Sequence, residues 1–403
     1  MTTKVNADTS GGLKLTSDTS GTLELQSAGN TKLTVNSSGA TIPTITGLAS
    51  INSGQIGGRR NIVINGEMKV AQRSTSVTGL GAAAGYFTLD RWMMDGAASA
   101  GRYTMAQVAD GPAGFANCLK LTTTTADTSI AAGEFLTLQT RFEGQDLQQL
   151  KKGTASAEQV TVSFYVKGNA AALYVCELFD GDNGRSITQS FAVTTSWNRI
   201  ELTFAADTSD PLDDDNAVSL YLIFWLHAGS NFTSGTFAVN TWNDSTNANR
   251  YAVANRTSIF DATSRTLSIT GVQMEIGTQA TDFESRSYGE ELALCQRYCT
   301  KIAPATNAGV GTGFARTTTT MYAARDLPVH MRTTPTLAFS SATDFQIQYL
   351  GSVITTTAMA ASELSADTIA FEATVGSAAL TAGQGMYLRD LNGGATIIAS
   401  AEL

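Results

Sequence analysis

Between residues 11 and 39 the chain reads GGLKLTSDTSGTLELQSAGNTKLTVNSSG, which places Leu13 and Leu15, Leu23 and Leu25, then Leu33 and Val35 at an interval of ten. Each pair is an apolar-polar-apolar alternation bounded by Ser, Thr, Asp and Gly, the pattern of a half-buried strand between turns. Two apolar side chains per strand remove too little surface from water to offset the ordering of ten residues, and a ribbon this narrow is marginal on its own. A repeat that cannot bury its own apolar face must be covered by neighbours, here by other chains as well. These six residues are therefore expected to form the core of an intertwined trimeric β stalk over residues 1–58, ending where Pro43 and then Gly54, Gly57 and Gly58 interrupt the pattern.

The remaining length of this 403-residue chain is ample for two further domains with real cores. Acidic residues outnumber basic ones by 35 to 26, and no basic run exceeds Arg59-Arg60 or Lys151-Lys152, which argues against a nucleic-acid partner. The polar start MTTKVNADTS lacks a signal core, and no apolar run approaches the length of a membrane span. The expectation is a chain made in a cytoplasm, without membrane insertion. Four cysteines are too few for a disulfide framework.

From residue 59 onward, short alternating runs dominate. The clearest are EQVTVSFYVKG (158–168), AALYVCELFDG (171–181), RSITQSFAV (185–193), WNRIELTFAA (197–206), AVSLYLIFWLHAG (217–229) and RTLSITGVQMEIG (265–277). Val160, Val162, Phe164 and Val166 alternate with Thr161, Ser163, Tyr165 and Lys167, as do Ile200, Leu202 and Phe204 with their neighbours. Regularly spaced strands without interleaved helical periodicity predict an antiparallel jelly-roll sandwich over residues 59–302. RSYGEELALCQRYCTKI, 286–302, is the one expected helix: Ser287 with Glu290 forms a capping box, and Leu292, Cys295, Cys299 and Ile302 share a face. Cys295 and Cys299 are read as small buried hydrophobes. Residues 303–403 predict a small C-terminal β-sandwich, with strands around Pro328 and Pro335, in DFQIQYLG, in DTIAFEATV and in GATIIASAEL. The fold class is all-β: stalk, jelly roll, one linking helix, small terminal β domain.

The motifs INGEMKVAQRSTS, DRW, GVQMEIGTQATDFESRSYGEELALCQRY and a terminal unit ending in ASAEL, in that order, resemble tailed-bacteriophage tail fibre and virion-surface fibre proteins. NIVINGEM, SFYVKG, TTSWNRIELTF and TLSITGVQMEIG are similar to strands of carbohydrate-binding-module-like jelly rolls. The resemblance spans roughly residues 60–403. It implies a homotrimeric, non-catalytic virion structural protein on the particle surface, joined to other virion proteins through its N-terminal stalk and engaged with host surface polysaccharide.

The residues themselves supply no catalytic set. There is no G-x-S-x-G elbow and no phosphate-binding loop, and His227 and His330 lie far apart without ligand spacing. No catalytic residue, metal or cofactor is assigned. His227 is read as structural, and DTSDPLDDDN (207–216) as a solvated acidic loop. Trp92, Trp197 and Trp225 are expected in the core. Trp242 stands apart in the polar stretch NTWNDSTNANRY. A sugar needs flat rings for its C–H faces and planar polar partners for its hydroxyls. Trp242, Asn243, Asp244, Arg250 and Tyr251 are accordingly the candidate glycan-binding residues. The expected function is host recognition by a tail fibre, with a capsid-mounted head fibre and a polysaccharide depolymerase as alternatives.

Overall fold

A computed structural model describes residues 23–27, 30–36, 39–41, 59–97 and 99–403. The chain divides into two compact units, Met1–Ile51 and Asn52–Leu403. In the first, β1 (Leu23–Ser27), β2 (Asn30–Asn36) and β3 (Gly39–Thr41) form an antiparallel sheet in that order. The register sets Leu23 opposite Val35 and Leu25 opposite Leu33, with an irregularity after Leu25. Leu13 and Leu15 lie outside the described residues.

The second unit opens with β4 (Ser76–Leu80), β5 (Met93–Ala97), β6 (Arg102–Val108), β7 (Cys118–Thr125) and β8 (Phe135–Glu143). It continues with β9 (Val160–Gly168), β10 (Ala172–Asp180), β11 (Arg185–Val193), β12 (Asn198–Phe204) and β13 (Val218–Ala228). After α1 (Ser230–Thr233) come β14 (Asn243–Asp244) and β15 (Thr266–Ile276). They make two six-stranded antiparallel sheets, β14-β11-β10-β13-β8-β5 and β12-β9-β15-β7-β6-β4. This is the expected jelly-roll sandwich. Val160, Val162, Phe164 and Val166 are all buried between the sheets, where Phe164 meets Phe191 and Phe224 edge-on at 5.0 Å. Thr161 and Ser163 are buried as well, because the chain after β15 covers that outer face: the Thr161 hydroxyl donates to the Gly277 carbonyl at 2.8 Å. Trp92 and Trp225 are core residues, whereas Trp197 is half-buried beneath Lys167 Nζ, 4.9 Å from its ring centre.

The linking helix is shorter than its sequence pattern. Ser287 and Glu290 close the capping box, but α2 runs only Tyr288–Gln296. Cys299–Ile302 is a strand, β16, not a helical face. Its β-branched Thr300 and Ile302 favour extended backbone, and a ready partner strand, Ile397–Ser400, pairs with it throughout. All four cysteines are buried and free.

Beyond β16 follow β17 (Gly309–Ala315), β18 (Thr320–Asp326), β19 (Thr336–Phe339), β20 (Phe345–Tyr349) and β21 (Ser352–Thr355). The last strands are β22 (Ala358–Leu364), β23 (Thr368–Thr374), β24 (Gly385–Asp390) and β25 (Ile397–Ser400). A three-stranded sheet, β16-β25-β19, and a seven-stranded one, β21-β20-β24-β17-β18-β23-β22, share a second core that includes Met321, Phe345, Ile347, Phe371 and Leu388. No helix among the described residues is long and apolar enough to cross a membrane.

The two sandwiches are joined by a buried polar network. Its members come from the motifs quoted above: Gln72 and Arg73 from VAQR, Asp90 and Arg91 from DRW, Arg297 and Tyr298 from CQRY, and Glu402 from SAEL. Arg91, 1% exposed, pairs with Glu402, donates to the Arg141 carbonyl at 2.5 Å, and lies 3.5 Å over the Tyr298 ring. Arg73 reaches Glu402 at 3.2 Å, and the Gln72 side chain spans Asp90 and the Cys299 carbonyl, each at 2.5 Å. Tyr298 and Arg297 both donate to Glu143. These motifs are thus structural: they clamp one sandwich to the other.

Burial raises the Asp90 carboxyl to about 6, against the opposing pull of Gln72 and Arg73. An acid whose native pKa exceeds its unfolded one favours the fold in its protonated form, and that contribution is lost as pH rises from about 4 through about 6. Asp90→Asn is therefore expected to gain stability relative to wild type on going from pH 4 to pH 7.5, by on the order of 2 kcal/mol. Urea denaturation at the two pH values checks this; a pH-independent difference between the two proteins contradicts it.

Candidate functional site

The segment 229–251 folds over the outer face of the first sheet, and β14 adds its short edge by pairing Asn243 with Ser186 and Asp244 with Arg185. Thr241 and Asn243 line an open cleft of about 260 Å³ together with Thr188, Asp244, Asn249 and Arg250. Trp242 points the other way. It is half-buried against the sandwich core, its indole N–H donates to the Ala205 carbonyl at 2.8 Å, and Lys152 Nζ sits 5.5 Å from its ring. With Leu150, Phe204 and Leu212 it encloses a small cavity of about 20 Å³. Trp242 is thus not the stacking platform of the cleft, because its burial against the core and a committed N–H assign it to packing.

Arg250 is half-buried at the cleft wall. Nε and Nη2 bind Glu177 at 2.9 and 3.0 Å, and the guanidinium lies over Phe179 and Trp225 at 4.7 and 5.0 Å. Glu177 is fully buried and also accepts the Trp225 indole N–H at 2.6 Å. Tyr251, 1% exposed, stacks on Trp225 and donates its hydroxyl to the Thr257 carbonyl at 2.6 Å. It is core, so the candidate set loses Tyr251 as well as Trp242. Of the five candidates, Asn243, Asp244 and Arg250 share the cleft.

Local hydrogen bonds hold the polar groups in place. Asn243 donates to the Thr241 carbonyl at 2.8 Å, and Asn249 accepts the Thr236 N–H at 2.8 Å. Asp244, with its side chain 95% exposed, is 3.3 Å from Arg185. Arg185 in turn binds Asp207, whose carboxyl burial would raise but whose pairing with Arg185 and hydrogen bond from Ser209 hold below the usual carboxylate range. Asp207 is also 3.2 Å from Lys152, which makes this residue of the acidic loop a buried ion-pair partner rather than a solvated group. The arrangement offers hydroxyls, amides, one exposed carboxylate and a guanidinium on a rigid frame, chemistry suited to holding a polyhydroxylated ligand.

One surface was missed in the sequence. On the seven-stranded sheet Phe314 is 45% exposed and stands directly across from Tyr322, ring centres 5.6 Å apart. The Tyr322 hydroxyl donates to Glu363 at 2.9 Å. Two flat rings beside a carboxylate offer here the kind of surface expected at Trp242. The alternation of GVGTGFA was its available signal, hidden because glycines break the apolar pattern.

No family model matches the chain, and no curated protein matches it. Among solved structures, one described as "CBM4 structure and function" aligns over 53% of this chain and 97% of its own, with 11% identity and a TM-score of 0.28. The family 11 carbohydrate-binding module from Clostridium thermocellum in complex with a β-1,3-1,4-mixed-linked tetrasaccharide aligns over 50% of this chain and all of its own, with 13% identity and a TM-score of 0.26. The enzymatically active domain of bacteriophage CBA120 tailspike protein 4 aligns over 54% of this chain and 21% of its own, with 11% identity and a TM-score of 0.28. Likenesses of this size establish neither ligand nor activity.

Proposed function

We propose that this chain is a homotrimeric, non-enzymatic fibre protein of a tailed phage, mounted on the particle through its N-terminal stalk and binding host surface glycan. The observation that carries the binding reading is the cleft of Thr188, Asn243, Asp244, Asn249 and Arg250 on the sandwich edge. Loops and edges positioned by rigid sheets are where binding groups concentrate. Glycoside hydrolysis by the usual route takes two carboxylates, and the cleft lining contributes one, Asp244. The trimer reading rests on the thin ten-residue repeat of the stalk.

The test uses the full chain. Light scattering is expected to give three times 42.3 kDa. Asn243→Ala with Asp244→Ala is expected to weaken polysaccharide binding by roughly tenfold per site, the scale of two lost hydrogen bonds, and by more in the trimer, where weak sites act together. Melting should barely change, since Asn243 and Asp244 are exposed and β14 pairs through its backbone. Unchanged binding in this variant with a loss in Phe314→Ala moves the site to the C-terminal sheet. Release of reducing sugar makes the protein a depolymerase instead. A monomer rejects the stalk reading, and immunolabelling of virions separates tail from head location.

A further inference from the structure

At the other end of the first sheet, a histidine and two carboxylates converge. Asp127 lies just beyond β7, Glu134 immediately precedes β8, and His227 is next to last in β13. One ligand atom from each lies within 4.8 Å of the others. All three are buried, with Asp127 6%, Glu134 4% and His227 0% exposed.

Glu134 is partnered unlike the other buried acids. Glu143, Glu177, Asp207, Glu291 and Glu402 each face an arginine. Glu275 and Asp390 instead take short hydrogen bonds from neighbouring N–H or O–H groups. Asp127 is satisfied in the same way, by the Ser99 hydroxyl at 3.3 Å and the Ala100 and Ser129 N–H groups at 2.9 and 3.2 Å. Glu134 has a single side-chain partner among the described residues, His227 Nε2 at 3.4 Å, and no lysine or arginine pairs with either carboxylate. A buried carboxylate with one long contact and no counter-ion, as Glu134 is, is costly.

We propose that Asp127, Glu134 and His227 bind one divalent transition-metal ion of the zinc or manganese kind, which staples the β7–β8 loop to the end of β13. One imidazole nitrogen and two carboxylate oxygens form a mixed donor set suited to those ions. Ser258 orients the ring. Its Oγ lies 2.7 Å from His227 Nδ1 and accepts the Phe260 N–H at 3.0 Å, so an Nδ1–H bonded to it turns the Nε2 lone pair toward the two carboxylates. The same contacts resemble a Ser-His-Glu hydrolase triad, but the second carboxylate and the main-chain N–H on Ser258 Oγ favour a metal over a nucleophile.

The experiment takes the full chain, strips it with EDTA, and adds zinc or manganese chloride alone. One ion per chain is expected by elemental analysis, with a melting temperature raised by roughly 4 °C at a hundredfold excess over Kd. Glu134→Gln keeps shape and removes charge. It should abolish the metal-dependent rise, while its metal-free melting temperature equals or exceeds that of metal-free wild type. Absence of bound metal in wild type, with no response to EDTA or either salt, overturns the proposal whether or not any variant folds. Labelling of Ser258 by a fluorophosphonate overturns it in favour of a hydrolase.

Discussion

Replacing Arg91 by alanine is expected to lower the stability of the second unit by about 3–5 kcal/mol, the scale for removing one member of a buried ion pair. The guanidinium is 1% exposed, and its loss leaves Glu402, itself 6% exposed at the side chain, with only Arg73 at 3.2 Å. It also uncovers the Tyr298 face and frees the Arg141 carbonyl. The two residues stand 311 positions apart, so the damage falls on the junction of the two sandwiches. Urea denaturation followed by tryptophan fluorescence measures it. Arg91→Met combined with Glu402→Leu should recover part of the loss, because no uncompensated carboxylate remains and Arg73 keeps Asp90 at 3.9 Å and the Ser400 hydroxyl at 3.3 Å. A loss below about 1 kcal/mol in Arg91→Ala would show that the junction does not depend on this pair.

Glu177→Ala is expected to cost a similar amount, about 3–5 kcal/mol, and to abolish glycan binding in the cleft. Glu177 is the single acceptor for two Arg250 nitrogens and the Trp225 indole N–H, all at 2.6–3.1 Å. Without it the Arg250 guanidinium is left over Trp225 and Phe179 with no counter-charge, and the cleft wall loses its support. Glu177→Gln keeps an acceptor for one donor and should lie between wild type and alanine. Glycan binding that survives Glu177→Ala, in protein still folded by circular dichroism, would separate the cleft from this support and place the ligand elsewhere.

The helix illustrates how far local pattern reaches. Its start was legible, because a capping box is a contact between residues three apart and needs no tertiary information. Its end was not. Residues 299–302 keep an apolar spacing compatible with either state, and the pairing of Cys299–Ile302 with Ile397–Ser400 decided for strand. The same division appears at Trp242. The polar composition of NTWNDSTNANRY pointed to a surface segment, and Asn243, Asp244 and Arg250 do line a cleft there. Which way the tryptophan turned, just before that short edge strand, depended on the pocket formed by Leu150, Phe204 and Leu212, residues remote in sequence.

By itself the sequence determined what repeats at short range: the all-β character and the alternation that buries Val160, Val162, Phe164 and Val166. Those features follow from the two-residue period of a strand and from turn chemistry, both visible within about ten residues. Only the tertiary structure decided which charges meet. Arg91 finds Glu402 across 311 positions, and Arg250 finds Glu177 across 73. No period links such partners. Burial made each pairing necessary, since a charge removed from water must find a counter-charge or hydrogen-bonding partner wherever the packing of two sheets happens to bring one.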